Sequence, residues 1–222
     1  MRVVIYVDGE SHFIRTQVAW RKVHGPTASL ADVRSSITGV GSAAYPDPNR
    51  PFIRCEPIAK FFWDTNYPFL APRPFNSPHV SAATYFTSFA GDDVNYHSAC
   101  VSIRRHGFDP RVTRERSQLE SQRANRLQQG GVLEKAKGVD IGLAVRILED
   151  AYHNNFDTCF LFTSDIDFMP VARIVQRMGK KVIVFGYSDG LGARSEFEYA
   201  PDGFVDLGPY VQQTYLPKTE SK

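Results

Sequence analysis

Residues 158–168 read TCFLFTSDIDF. The apolar run over 158–163 has the composition of a strand covered on both faces. It stops at Asp165 and Asp167, and a helical pattern follows from about 168 to 178. Pro170 suits the first turn of that helix, where a missing N–H costs nothing. Gly179 ends it, and KKVIVFG at 180–186 reads as the next strand. Two carboxylates therefore stand at the carboxyl end of a strand, where open α/β sheets carry their ligand sites. Such carboxylates either hold a divalent cation or cap a helix, and on these residues alone both readings stay open.

The same alternation extends towards the N-terminus. Ile141, Ala144, Val145, Leu148 and Tyr152 recur at helical spacing and predict an amphipathic helix from Val139. RVVIYV at 2–7 predicts a strand ended by Asp8 and Gly9, followed by a helix through Phe13, Val18 and Trp20. AATYFTSF at 82–89 predicts another strand, with a helix near 94–106 and a short strand near 108–113. This βαβ order implies a mainly parallel sheet with helices on both faces and right-handed crossovers. A single domain is expected over 1–210, with a polar tail at 211–222 and one short helix after 192. Prolines and aromatics crowd residues 25–80, which reads as an insertion or lid with helices around 29–37 and 56–63. Residues 114–137 read as a polar, exposed arm.

The net charge of +2 creates no global field for nucleic acid, so any such binding needs a local patch. Arg104, Arg105, Arg111, Arg114, Arg116, Arg123, Arg126, Lys135 and Lys137 supply one. Glu115, Glu120 and Glu134 interrupt it, and a solvated face is the plain alternative. Cys55, Cys100 and Cys159 form no metal motif and suit a reduced, cytoplasmic compartment. The start reads as a strand rather than a signal peptide, and no stretch reaches the roughly 18 apolar residues of a membrane span. The histidines make no ligand spacing. Tyr85 and Phe86 could stack on bases, but core packing is their commoner role.

Four aspartates share one kind of position. Asp8 follows the first strand, Asp140 opens the strong helix, and Asp165 and Asp167 follow the strand at 158–163. In a parallel sheet these positions face one edge. Mg²⁺ and Mn²⁺ prefer oxygen ligands, and such ions neutralise a phosphodiester and activate water. An aspartate at a helix start is also a common N-cap, and for Asp140 alone capping is the more usual role. For Asp8 alone the odds are near even, whereas two acids as close as Asp165 and Asp167 exceed what one cap needs.

Three blocks carry a family resemblance. VIYVDGES at 4–11, KGVDIGLAVRIL at 137–148 and CFLFTSDIDFMPVARIVQRMGKKVIVFG at 159–186 resemble the NYN domains, a branch of the PIN-like nuclease superfamily that includes the LabA-like proteins. The resemblance implies a PIN-like three-layer α/β sandwich and RNA cleavage dependent on Mg²⁺ or Mn²⁺. It implies Asp8, Asp140 and Asp165 as metal ligands and Asp167 as a fourth carboxylate, all four forming the catalytic set. It also implies that Thr163 and Ser164 line the turn and that Lys137 lies near substrate phosphates. Ser11 and Arg114 complete the expected substrate-binding set. Three positions depart from the pattern: Ser11 stands where an Asn is usual, Ser164 replaces the turn glycine, and Arg146 stands where many relatives carry an acid. Arg146 is expected to pair with a site carboxylate or to face solvent. A non-catalytic RNA-binding or regulatory module on the same fold is the alternative; a metal-dependent phosphatase is a third reading, disfavoured because the first strand offers Asp8 alone. RNA is the expected partner, no membrane is, and a homo-oligomer stays open.

Overall fold

A computed structural model of the chain describes residues 1–12, 15, 18, 80–89, 93–105, 107–114, 138–190 and 201–209. Among the described residues six strands make one sheet: β1 (Val3–Asp8), β2 (Val80–Phe89), β3 (Asp109–Arg114), β4 (Thr158–Phe162), β5 (Lys181–Gly186) and β6 (Gly203–Asp206). Their order is β3-β2-β1-β4-β5-β6, and every neighbouring pair is parallel. The sheet is thus wholly parallel where a mainly parallel one was expected.

β1 is buried along its whole length because it is central, with β2 on one side and β4 on the other. Its side chains alternate between two cores, as the two-residue period of a strand demands. Val3, Ile5 and Val7 join Tyr85, Phe108, Phe160, Phe162 and Phe185 on one face. The rings of Phe162 and Phe185 stack there at 4.4 Å. Helix α1 (Asp93–Arg105) contributes Ile103 to this layer. Val4 and Tyr6 enter the other core, with Phe86 and residues of α2 (Val139–Tyr152) and α3 (Met169–Arg177). Tyr85 and Phe86 are both core residues, 0% and 5% exposed, which removes them as base-stacking platforms on the surface.

Leu143, Ile147 and Ala151 form the buried stripe of α2, and this is why the helix lies on the sheet; Ile141, Val145 and Tyr152, expected in the apolar stripe, are exposed instead. Gly138 precedes the helix at φ 106°, a left-handed conformation that favours glycine. Gly142 is different. It lies inside the helix, and an added Cβ would meet nothing within 4 Å. A glycine there costs about 1 kcal/mol relative to alanine, and packing among the described residues gives no reason for it. After β4, residues Ile166–Phe168 form a 3₁₀ turn that leads into α3. Pro170 sits in the first turn of α3, and Gly179, at φ 77°, follows its end.

β6 is absent from the sequence reading, which has only a short helix after residue 192. The strand has four residues and follows Pro201 and Asp202, a combination that reads as loop. It is held by tertiary contacts: Asp202 accepts the Val182 N–H at 2.7 Å, and Phe204 packs against the α2/α3 core. The insertion expected at 25–80 with its two helices, most of the arm at 114–137 including Lys137, and the tail at 211–222 lie outside the described residues. Among the described residues, no helix is long and apolar enough to cross a membrane.

Candidate functional site

Asp8 ends β1 fully buried. A buried carboxylate must be hydrogen-bonded to be tolerated, and this one is. Its Oδ1 accepts the Ser11 N–H at 3.0 Å, so it caps the helical residues that follow. Its Oδ2 accepts the Thr163 hydroxyl at 3.0 Å. The same Thr163 Oγ1 accepts the Asp165 N–H at 3.1 Å. One hydroxyl, 2% exposed, therefore ties the acid after β1 to the turn that carries the acid after β4.

A second bridge runs beside the first. Ser11 Oγ accepts the Ser164 N–H at 3.1 Å, and Ser164 Oγ accepts the Tyr187 N–H at 2.8 Å. The two departures from the family pattern are thus used structurally. Ser164 is not among the residues at positive φ, so the lost turn glycine needs no replacement. Gly186 makes the close approach possible instead: a Cβ there would lie 2.5 Å from the Thr163 carbonyl oxygen. Gly9 is a similar case, because a Cβ would lie 2.3 Å from the Tyr85 ring.

Asp165 is half-buried and caps the 3₁₀ turn, its Oδ1 accepting the Asp167 N–H at 3.0 Å. Asp167 is exposed. Asp140 is the second residue of α2, half-buried, and Gly138 occupies the N-cap position. The N-cap position, the more usual place for Asp140 taken alone, is thus held by Gly138 instead. α2 packs over β1 and β2, which brings its first turn to the edge that carries Asp8. Thr163 and Ser164 line the turn, as expected. Arg114 pairs with Asp93, and its guanidinium lies 4.6 Å from the centroid of the Tyr96 ring.

Three features had no counterpart in the sequence reading. Glu10 is 3% exposed, and its carboxylate accepts both the backbone N–H and the hydroxyl of Ser88 at the end of β2. The two acids of Asp8-Gly9-Glu10 were the available signal. His12 is buried beside Tyr187, ring centroids 5.9 Å apart, and burial pushes its imidazole down to about 3. Asp150 accepts hydrogen bonds from Tyr6 Oη at 2.5 Å, Arg146 Nε at 2.6 Å and Asn155 Nδ2 at 2.8 Å. Arg146 is therefore partnered within its own helix and not with the aspartates at the sheet edge. Burial alone would raise the Asp150 carboxyl; the hydrogen bonds from Tyr6, Asn155 and Arg146 outweigh it and hold the group below the usual range. Burial, with the bond to Asp150, raises the Tyr6 hydroxyl.

The oxygen-only donor set at the edge is the type that Mg²⁺ and Mn²⁺ take. Asp8 and Asp165 are joined through Thr163, but among the described residues no three His, Cys, Asp or Glu side chains form a group that could hold an ion by themselves. The four aspartates accordingly do not make a closed cage. A hard cation bound by one or two carboxylates and completed by water and a substrate phosphate fits these residues.

A family model described as NYN domain matches residues 59–208. The match takes in β2 through β6 and leaves out β1, although β1 is central to the sheet and carries Asp8. The chain is similar to an uncharacterized protein, MJ0482, of Methanocaldococcus jannaschii, with 42% identity over 133 residues, 60% of this chain and 43% of that protein. It therefore spans less than half of that relative's length. A crystal structure of a protein of unknown function, VPA0982 from Vibrio parahaemolyticus, aligns over 93% of this chain and 92% of that one, with a TM-score of 0.49 and 16% identity.

Proposed function

From the premise that the chain belongs to the NYN domain family, whose fold is nuclease-like, we propose that it is a ribonuclease dependent on a divalent metal. The observation that carries this reading is the buried Asp8 carboxylate at the carboxyl edge of the sheet, tied through Thr163 to the turn of Asp165. Asp8 and Asp165 would hold Mg²⁺ or Mn²⁺, with water and a substrate phosphate completing the shell and Asp140 and Asp167 acting through that water. Such an ion supplies positive charge and Lewis acidity at a phosphodiester.

The protein's own contribution is orientation. Thr163 fixes Asp8 against the β4 turn, and the Ser11–Ser164–Tyr187 bridge holds that turn against β5. Asp165 and Asp167 keep an accessible side, where a strand of RNA would arrive. Lys137 and Arg114 would meet its phosphates. A cytoplasmic location goes with this reading, since Cys100 and Cys159 are free thiols.

Asp165→Asn tests the assignment. The Asn oxygen still accepts the Asp167 N–H, so the fold should survive while metal-dependent RNA cleavage is lost. Unchanged cleavage would sink the assignment. A non-catalytic RNA-binding module is favoured by one observation: both Asp8 and Asp165 already serve as caps. RNA binding without turnover across Mg²⁺, Mn²⁺ and other divalent ions would select it.

A further inference from the structure

A groove of about 480 Å³ lies between β3 and α2. Val145, 47% exposed, and the half-buried Tyr96 of α1 give it an apolar surface, behind which Phe86 and Val139 are buried. Its position relates it to the aspartates. Phe86 is the register partner of Asp8 in β1 and of Arg111 in β3, so Asp8, Phe86 and Arg111 form one row across the sheet. Two strand spacings, roughly 10 Å, separate Asp8 from Arg111 along that row. Asp140 lies between Val139 and Gly142, both of which line the groove.

Cations stand on both walls. Arg111 is half exposed and pairs with Asp109 at 3.0 Å. Arg146, 41% exposed, gives only its Nε to Asp150 in that 2.6 Å bond, and a guanidinium has five N–H donors. Glu149, nine residues beyond Asp140 on α2, puts one acceptor at the other end. Gly142 supplies an independent observation. An interior helix glycine weakens α2, and among the described residues an added Cβ there would meet nothing within 4 Å. Its effect is to leave the groove wall bare where a side chain would fill it.

We propose that this groove seats one nucleobase of the RNA strand, with Arg111 or Arg146 on an adjoining phosphate. The proposal rests on the ribonuclease reading and names a subsite of it. A base has a flat π-face that packs on apolar and aromatic side chains, and arginine suits phosphate. Glu149 offers an acceptor for an amino or imino N–H of the base. A peptide or a second copy of the chain would need a longer apolar track than this short, two-cation groove.

The test is equilibrium binding of a labelled single-stranded RNA of about eight nucleotides, measured in EDTA so that turnover does not intervene. Gly142→Leu fills the groove and should weaken binding by about tenfold, the loss of one stacked base; Arg111→Ala removes a phosphate contact and should weaken binding with a shallower salt dependence. Gly142→Ala should change binding by less than about threefold. Thermal melting guards the comparison, since both Gly142 variants should melt no lower than the wild type. A 4-thiouridine RNA should crosslink to the peptides carrying Tyr96 or Val145. Gly142→Leu binding RNA as tightly as the wild type, crosslinks confined to other segments, or a wild type that binds no RNA would each overturn the subsite. So would a self-association that Gly142→Leu abolishes while RNA affinity stays unchanged. Groove-dependent binding with no cleavage in any metal would uphold the subsite and refute the catalytic reading, so the two failures are separable.

Discussion

Thr163→Val is the sharpest probe of how the edge is assembled. It replaces a hydroxyl by a methyl at nearly constant volume, so packing is kept and two hydrogen bonds go. The first is the 3.0 Å bond to Asp8 Oδ2. Asp8 is 0% exposed, so water cannot take the place of the lost donor. Hydrogen bonds to charged groups contribute about 1.5–3 kcal/mol each. The second is the bond from the Asp165 N–H at 3.1 Å; Asp165 is half-buried, so solvent recovers much of that loss. The expected destabilisation is about 2–3 kcal/mol. For a chain of this length it corresponds to a fall in Tm of roughly 4–12 °C. Thr163→Ser keeps the hydroxyl and should stay within about 1 kcal/mol of the wild type. Urea and thermal unfolding of the two variants side by side measure the difference. Equal stability of the Val and Ser variants would refute the idea that this hydroxyl holds the two acidic turns together.

Two further outcomes follow from the same geometry. Tyr6→Phe removes a donor from Asp150 and should cost about 1.5–3 kcal/mol at neutral pH. The Asp150 carboxyl is held below its ordinary 3.8 in the folded protein, so this stabilisation is complete above that value and lost as pH falls through the lower, folded one. Unfolding curves of wild type and variant should therefore converge in acid, and a constant gap down to pH 2 would contradict the assigned network. Gly186→Ala forces a Cβ to within 2.5 Å of the Thr163 carbonyl oxygen. Backbone must move, at a cost of about 1–3 kcal/mol or more, and metal-dependent cleavage should fall further than stability alone explains. An Ala variant with wild-type melting and activity would show that β5 does not press on the β4 turn.

Strands β1, β2, β4 and β5 were legible because β-branched and aromatic runs stop at clear turn signals. Helix α2 was legible as a helix from its spacing, but its inward face was not: Ile141, Val145 and Tyr152 of the stripe read from the sequence are exposed, and Leu143, Ile147 and Ala151 are buried instead. β6 was not, because Gly203–Asp206 is too short for a periodicity and owes its place to β5. The acids at the edge were readable by type and position, since parallel topology sends every strand end to one side. Their partners were not. Nothing local marks Thr163 as the residue between Asp8 and Asp165, or Gly186 as the residue that makes room for it. Arg146 shows the opposite limit: its partner Asp150 stands four residues away at ordinary helical spacing, a pairing that the sequence itself offers.

The central position of β1 has a consequence for how the edge comes into being. Asp8 and Thr163 are 155 residues apart in sequence. At about 5–20 residues per second, a ribosome needs roughly 8–30 s to travel that distance. Throughout that interval the nascent chain holds Asp8 without its hydroxyl partner, and β1 without the strand that covers its second edge. Local contacts cannot complete the sheet, so folding waits on a distant segment, the situation that slows two-state folding most. The acidic edge is therefore a late product of synthesis. A ribosome-bound chain that has not yet made residue 163 carries the first aspartate but not the pair.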